Sequence, residues 1–144
     1  QCRDEVDCAF VDFGQYPGAK ILEAFHLKFR STFCIEPGGY GPERKSTMDS
    51  VLLGCIPVIV SDAFVSERIW EANWWWYRNA SVVVKERDLL SPTFRLRDYL
   101  SAISFTKIKQ MRAVVAAHVS TVHWGRLDSN AFKTFLSAIH QADL

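Results

Sequence analysis

Residues 34–62 decide the fold, and they read Cys34-Ile35-Glu36-Pro37-Gly38-Gly39-Tyr40-Gly41-Pro42-Glu43-Arg44-Lys45-Ser46-Thr47-Met48-Asp49 and then Gly54-Cys55-Ile56-Pro57-Val58-Ile59-Val60-Ser61-Asp62. An apolar strand leads into a glycine-rich loop, the loop opens a helix, and a second apolar strand follows the glycine that ends the helix. Gly38, Gly39 and Gly41 let the backbone approach a ligand closely, because glycine accepts positive φ. Arg44 and Lys45 fall in the first helical turn. The stretch therefore predicts backbone N–H groups and positive charge around one point, as a phosphate-bearing ligand requires.

Strands and helices alternate outward from this stretch. The apolar patterns predict strands at 8–13, 32–36, 56–61 and 81–85, and helices at 19–29, 44–53, 95–103, 104–122 and 128–142. This order is typical of an α/β domain with a mostly parallel sheet, flanking helices and a helical carboxyl terminus. Right-handed crossovers would place the loop at 37–44 at the carboxyl edge of that sheet, where ligands of open α/β sheets bind.

Length and composition predict one domain over 1–144. The chain has 144 residues, of which 49% are hydrophobic, and a formal net charge of +1. That apolar fraction supports a packed core, and the near-zero charge gives no sign of a nucleic-acid partner. No apolar run reaches the roughly 18 residues of a membrane span. We expect the sequence to be a piece of a longer protein.

The loop and the helix after it leave two interpretations open. Arg44 and Lys45 are unfavourable toward the helix dipole, and an anion held between them and the helix end would remove that conflict; alternatively, both point to solvent. Asp49 could accept hydrogen bonds from ribose hydroxyls or pair with Lys45 at i, i+4. Neither the P-loop pattern nor Gly-x-Gly-x-x-Gly is matched, so the loop alone does not identify a nucleotide.

Four cysteines divide into two pairs by context. Cys34 and Cys55 lie in or beside apolar strands and are most simply small core residues. Cys2 and Cys8 flank an acidic segment, where a local disulfide is plausible in an oxidising compartment. Their spacing is wrong for zinc, and the sequence predicts no metal site.

Aromatic and histidine residues favour structural roles. Trp74, Trp75 and Trp76 are consecutive, so they cannot all face inward; core packing is the preferred interpretation, with one ring exposed toward an acceptor or another domain. The four histidines are dispersed over predicted helices and form no catalytic arrangement; they are His26, His118, His123 and His140.

The stretch at 33–62 resembles the signature of the exostosin-type glycosyltransferases. The similarity is carried by Phe33-Cys34-Ile35, Pro37-Gly38-Gly39, Asp49-Ser50 and Gly54-Cys55-Ile56-Pro57-Val58-Ile59. Arg44-Lys45-Ser46 is most similar to the plant xyloglucan galactosyltransferase branch, which has Arg-Arg-Ser there. Weaker similarity runs through Ser81–Glu86 to the helical end.

The resemblance implies the carboxyl-terminal, Rossmann-like half of a GT-B enzyme, which binds a UDP-sugar and transfers the sugar to a glycan acceptor with inversion and without a bound metal. By this analogy the donor contacts are Gly38, Gly39, Arg44, Lys45, Ser46, Asp49 and Glu86. Glu86 is also a candidate catalytic base, although the base could equally lie in the amino-terminal half of the enzyme. The amino-terminal half of the same enzyme would be the partner domain, and the isolated 144-residue piece would bind UDP weakly without turnover.

The family setting implies the Golgi lumen, with a type II membrane anchor outside this segment. Two departures keep a second function open. Many members have Gly-Asp where this chain has Gly39-Tyr40, and Ala63-Phe64-Val65-Ser66-Glu67 replaces the usual Leu-Pro-Phe-Glu. The alternative is a catalytically inactive scaffold or interaction domain with the same fold.

Overall fold

A three-stranded parallel sheet organises the chain. The computed structural model describes residues 7–11, 20–39, 44–66, 74–123, 130–131 and 133. Within them the strands are β1 (Phe33–Pro37), β2 (Ile56–Val60) and β3 (Val82–Val84), in the order β1-β2-β3. Phe33 is in register with Ile56, and Val58 with Val82. The α/β class, the parallel sheet and these three predicted strands are confirmed.

Helices connect and cover the strands. They are α1 (Ile21–Arg30), α2 (Lys45–Leu52), α3 (Asp62–Ser66), α4 (Tyr77–Ala80), α5 (Glu86–Leu89), α6 (Leu96–Ser101) and α7 (Phe105–His118), the last followed by a 3-10 turn at Val119–Thr121. Helices predicted at 19–29, 44–53, 95–103 and 104–122 correspond to α1, α2, α6 and α7. The helix predicted at 128–142 lies largely outside the described residues, of which 130, 131 and 133 are helical.

Strand β2 is the centre of the described sheet. All five of its residues are buried, because its β-branched run has a packed layer on each face. On one face Ile59 packs in a cluster with Val51 of α2 and the aromatic side chains around α4. On the other face Ile56, Val58 and Val60 pack with Leu96 and Met111 of α6 and α7.

Residues 53–55 connect helix α2 to strand β2 in a tight turn. Gly54 has φ of +75°, the left-handed conformation that favours glycine. Its N–H donates to the Val51 carbonyl at 3.1 Å, and the Cys55 N–H donates to the Ser50 carbonyl at 2.9 Å. The predicted stop at Gly54 is therefore confirmed, and it sets the helix directly beside the strand that follows.

The interpretation of Cys34 and Cys55 as separate core residues is wrong. Both are buried, but their sulfurs form a disulfide that joins β1 to the start of β2, with the Cα atoms 5.9 Å apart. Pairing of β1 with β2 brings the two residues within bonding distance, which spacing along the chain does not reveal. Cys8 is also disulfide-bonded. Cys2 of the predicted Cys2–Cys8 bond lies outside the described residues.

The strand predicted at 8–13 is also wrong over its described part. Residues 8–11 have no regular secondary structure, and 12–13 lie outside the described residues. Ala9 and Phe10 are both exposed, so the alternate burial that would hold a strand is missing. No helix among the described residues is long and apolar enough to cross a membrane.

Candidate donor-binding site

Three strand ends meet at the carboxyl edge of the sheet. The Gly38 N–H donates to the Val60 carbonyl at 2.9 Å, so the β1–β2 ladder continues one residue beyond β1. A Cβ built on Gly38 would lie 3.6 Å from Glu86 Oε1 and 3.6 Å from Ser61 Oγ. Glu86 opens α5 after β3, and Ser61 follows β2 directly. Thus the predicted residues Gly38 and Glu86 do share one edge, as the parallel topology requires.

The Arg44 side chain lies across the neighbouring glycine. A Cβ on Gly39 would be 3.2 Å from Arg44 Cδ and 3.4 Å from Nε, which is tighter than ordinary van der Waals contact. Arg44 Nη1 donates to the Pro37 carbonyl at 3.4 Å. The missing side chain of Gly39 therefore makes room for the arginine stem and leaves an exposed guanidinium beside the backbone of Gly38 and Gly39.

Arg44 is also the residue from which α2 begins. Its backbone is extended, with φ of −134° and ψ of 139°, and its carbonyl accepts from the Thr47 N–H at 3.0 Å. A cation at this position faces the positive end of the helix dipole. The charge of the guanidinium is therefore unfavourable toward the helix dipole, and a bound anion would offset it. The planar guanidinium can donate to two oxygens of such an anion at once.

Lys45 and Asp49 adopt the local pairing that the spacing left open. Lys45 Nζ lies 2.6 Å from Asp49 Oδ1, and the lysine side chain is 82% exposed. This i, i+4 contact runs along the outer face of α2. Donor contacts by Lys45 and Asp49 stay predictions, and the structure assigns the two side chains to each other.

Ser46 is turned toward α1. Its hydroxyl lies 2.9 Å and its carbonyl 2.8 Å from Lys28 Nζ, and both oxygens accept from the ammonium. The predicted contact of Ser46 with the donor stays a prediction, whereas its observed partner is a residue that the sequence analysis did not single out.

A buried ion pair between α1 and β1 was not predicted from the sequence. Lys28 Nζ is 2.5 Å from Glu36 Oε1, and the Glu36 side chain is only 3% exposed. Ser50, fully buried, donates its hydroxyl to the same oxygen at 2.5 Å. One signal was available: Glu36 stands inside a predicted buried strand, and a buried carboxylate requires a cationic or hydrogen-bonding partner.

The tryptophan run is mainly part of the core. Trp74 and Trp76 are buried, whereas Trp75 is 65% exposed, so the prediction that one ring faces outward is confirmed. His118 stacks on Trp76 with ring centroids 5.1 Å apart and lies with Nδ1 2.9 Å from the Val114 carbonyl. These contacts give His118 a structural role. Among the described residues, no three His, Cys, Asp or Glu side chains are grouped as a metal site requires.

Comparison with known proteins identifies the family. Residues 6–99 match the exostosin GT47 domain. The chain belongs to the exostosin GT47 family. It is 30% identical over 129 residues to "Probable xyloglucan galactosyltransferase GT19" of Arabidopsis thaliana. The aligned residues cover 85% of this chain and 29% of that relative.

Two further relatives show the breadth of the family. The chain is 28% identical over 120 residues to xyloglucan galactosyltransferase MUR3 of Arabidopsis thaliana, covering 78% of this chain and 18% of the relative. It is 26% identical over 117 residues to the exostosin-1 homolog of Caenorhabditis elegans, covering 72% and 29%. The chain thus spans less than a third of each of these relatives. No solved structure matches it significantly. The predicted family and its plant xyloglucan branch are confirmed.

Proposed function

We propose that this chain binds the UDP-sugar donor of an inverting glycosyltransferase, which transfers the sugar to a glycan acceptor. The observation that carries the proposal is the meeting of Gly38, Gly39, Arg44 and Glu86 at the carboxyl edge of a parallel sheet. Membership of the exostosin GT47 family supports a transfer reaction at this edge. The proposed fold is the Rossmann-like, carboxyl-terminal half of a GT-B enzyme, completed by an amino-terminal half.

The site offers separate partners for the two ends of the donor. Arg44 supplies charge for the diphosphate, and the open backbone at Gly38 and Gly39 permits close approach of its oxygens. Glu86 would repel a phosphate, so its carboxylate is suited to the hydroxyl groups of the ribose or the sugar. We therefore expect the phosphates on the Gly39–Arg44 side and the hydroxyl-bearing part of the donor near Gly38 and Glu86.

The reaction would proceed by direct displacement. The acceptor hydroxyl oxygen bonds to the anomeric carbon as the bond from that carbon to the diphosphate oxygen breaks. The acceptor proton passes to a base, for which Glu86 is the candidate, and the leaving UDP carries the negative charge that Arg44 stabilises. The proposal requires neither a metal nor another cofactor. Its cellular setting would be the Golgi lumen, with a type II anchor outside this segment.

A UDP titration of the full-length protein tests the proposal. We expect saturable binding, with affinity reduced roughly tenfold in Arg44→Ala, because a charge-assisted contact to phosphate is lost. Arg112→Ala is a matched control, since Arg112 is an exposed arginine that also donates to a carbonyl at 3.4 Å, on Ser31. Wild-type protein that is folded and does not bind UDP would contradict the proposal and favour the inactive scaffold.

Sugar transfer separates the proposed roles of the two charged residues. Glu86→Gln keeps the size of the side chain and removes the carboxylate. If Glu86 is the base, the variant still binds UDP, weakened at most by the lost contact to a donor hydroxyl, and loses transfer by about two orders of magnitude or more. Transfer at the wild-type rate would remove Glu86 from the catalytic role and leave it as a donor contact.

A further inference from the structure

Four oxygens surround the ammonium of Lys28. They are Glu36 Oε1 at 2.5 Å, Ser50 Oγ at 2.7 Å, the Ser46 carbonyl at 2.8 Å and Ser46 Oγ at 2.9 Å. Lys28 stands on α1, Glu36 on β1, and both serines on α2. One side chain therefore joins three elements through contacts that are mostly removed from solvent, since the Lys28 side chain is 17% exposed and that of Glu36 is 3% exposed.

The number of available protons determines which groups of the Lys28 network donate and which accept. An ammonium has three donors and no acceptor, and a hydroxyl has one proton. Ser50 gives its proton to Glu36, so its oxygen can accept from Lys28. The Ser46 carbonyl can only accept. The three N–H protons of Lys28 therefore serve four acceptor oxygens, so two of these oxygens share one proton, and the charge of Lys28 compensates that of Glu36.

The network is close in sequence to the candidate donor site. Ser46 is two residues after Arg44, and Glu36 is two residues before Gly38. Gly39 and Arg44 border the two ends of residues 40–43, which are outside the described part of the chain. Lys28 holds Ser46 and Glu36 at the same nitrogen, and so fixes the first turn of α2 relative to the end of β1.

We propose that Lys28 is a positioning residue for donor binding: it holds the first turn of α2 against β1 so that Arg44 meets the diphosphate above Gly38 and Gly39. This inference rests on the proposed function. The benefit is preorganisation, because a cation already held near its binding geometry loses less conformational entropy when the phosphate arrives. This role requires no direct contact between Lys28 and the donor.

A double substitution separates positioning from folding. Lys28→Met alone leaves Glu36 buried without its cation, so the protein loses stability for that reason alone. Lys28→Met/Glu36→Gln removes both charges and keeps an acceptor for the Ser50 hydroxyl. The control is Arg97→Met/Asp7→Asn, which removes another ion pair, at 3.2 Å, on an exposed surface that includes α6.

Three measurements on the full-length protein decide the matter. For Lys28→Met/Glu36→Gln we expect a melting temperature near that of the wild type, a UDP dissociation constant raised roughly tenfold, and faster amide exchange in the first turn of α2 than in β2. The control should leave the dissociation constant and the exchange of α2 unchanged. A double variant with wild-type UDP affinity would overturn the inference.

The outcomes also distinguish this inference from the proposed function. If the wild type binds UDP and Arg44→Ala loses affinity, while the Lys28→Met/Glu36→Gln variant does not, only the positioning role is rejected. If the wild type does not bind UDP, the proposed function is rejected and the role of Lys28 in donor binding is rejected with it.

Discussion

Two lysine–carboxylate pairs contact α2, and their environments differ. Lys28–Glu36 and Lys45–Asp49 have nearly equal separations, 2.5 Å and 2.6 Å. In the first pair the side chains are 17% and 3% exposed, and in the second 82% and 17%. Water screens the outer pair, Lys45–Asp49. In the inner pair, Lys28–Glu36, each side chain depends on the other for compensation of its charge. Equal distances therefore give unequal consequences for stability.

The comparison also shows which pairs a sequence reveals. Lys45 and Asp49 are four residues apart on a predicted helix, a spacing that indicates contact. Lys28 and Glu36 lie on different elements, so no periodicity connects them. The pair that the sequence makes visible is the one that we expect to contribute less to stability.

The largest expected effect is that of breaking the inner pair on one side. Lys28→Met should lower the free energy of unfolding by about 3–5 kcal/mol, because a buried carboxylate is left uncompensated. Urea unfolding of the variant and of Lys28→Met/Glu36→Gln checks this. The double variant should recover most of the loss, and failure to recover would show that the hydrogen bonds from the ammonium to Ser46 and Ser50, rather than the pairing of charges, are what Lys28 provides.

The disulfide between β1 and the residue before β2 is a covalent counterpart of the Lys28–Glu36 pair, because both restrict the segment that contains α2. Replacing Cys34 and Cys55 by alanine opens a bond that spans 21 residues, and we expect a loss of about 2–4 kcal/mol from the free energy of unfolding. Calorimetric unfolding measures the loss. A protein in which the two cysteines can be replaced without loss would indicate that noncovalent contacts already restrict this segment fully.

At the turn after α2, two substitutions of Gly54 should have smaller effects on the free energy of unfolding, and these effects arise from the backbone conformation alone. Gly54→Ala should cost about 1–2 kcal/mol, since φ is +75° and a Cβ there meets nothing within 4 Å. Gly54→Asn should cost less, because asparagine tolerates this conformation. Chemical denaturation of the two variants checks the order, and equal losses would contradict an origin in backbone conformation.

The smallest effect is expected at the outer pair. Lys45→Met should change the free energy of unfolding by less than about 0.5 kcal/mol, and added salt should reduce the difference further. Urea unfolding at low and high ionic strength measures it. A loss comparable to that of Lys28→Met would mean that exposure does not distinguish the two pairs.

The central fold was predictable because its signals are local. The continuous apolar run of β2 and the glycine at 54 fix a strand and a helix end without reference to the rest of the chain. The short helices α3, α4 and α5 were not predicted, because four or five residues carry too little periodicity and such helices depend on tertiary packing. Residues 8–11 failed as a strand because composition suggested burial that the structure does not provide.

The candidate site was predictable to the extent that topology determines it. Parallel strands carry their carboxyl ends to one edge, and this rule predicts the position of the loop that contains Gly38. Glu86, which lies beside Gly38, was associated with the site through the family resemblance. The disulfide and the Lys28 network were not foreseen, since both depend on which elements lie side by side in space. Side-chain partners across elements are fixed by packing, which spacing along the chain does not encode.

The close sequence spacing of these contacts has a consequence for how the polypeptide assembles. Lys28 reaches partners no more than 22 positions away, and the disulfide spans 21. Short-range contacts close at low entropic cost and favour rapid collapse. The segment from α1 through β2 can therefore fold into a compact unit before α6 and α7 leave the ribosome. In pulse-labelled hydrogen exchange during refolding, the amides of this segment should become protected first.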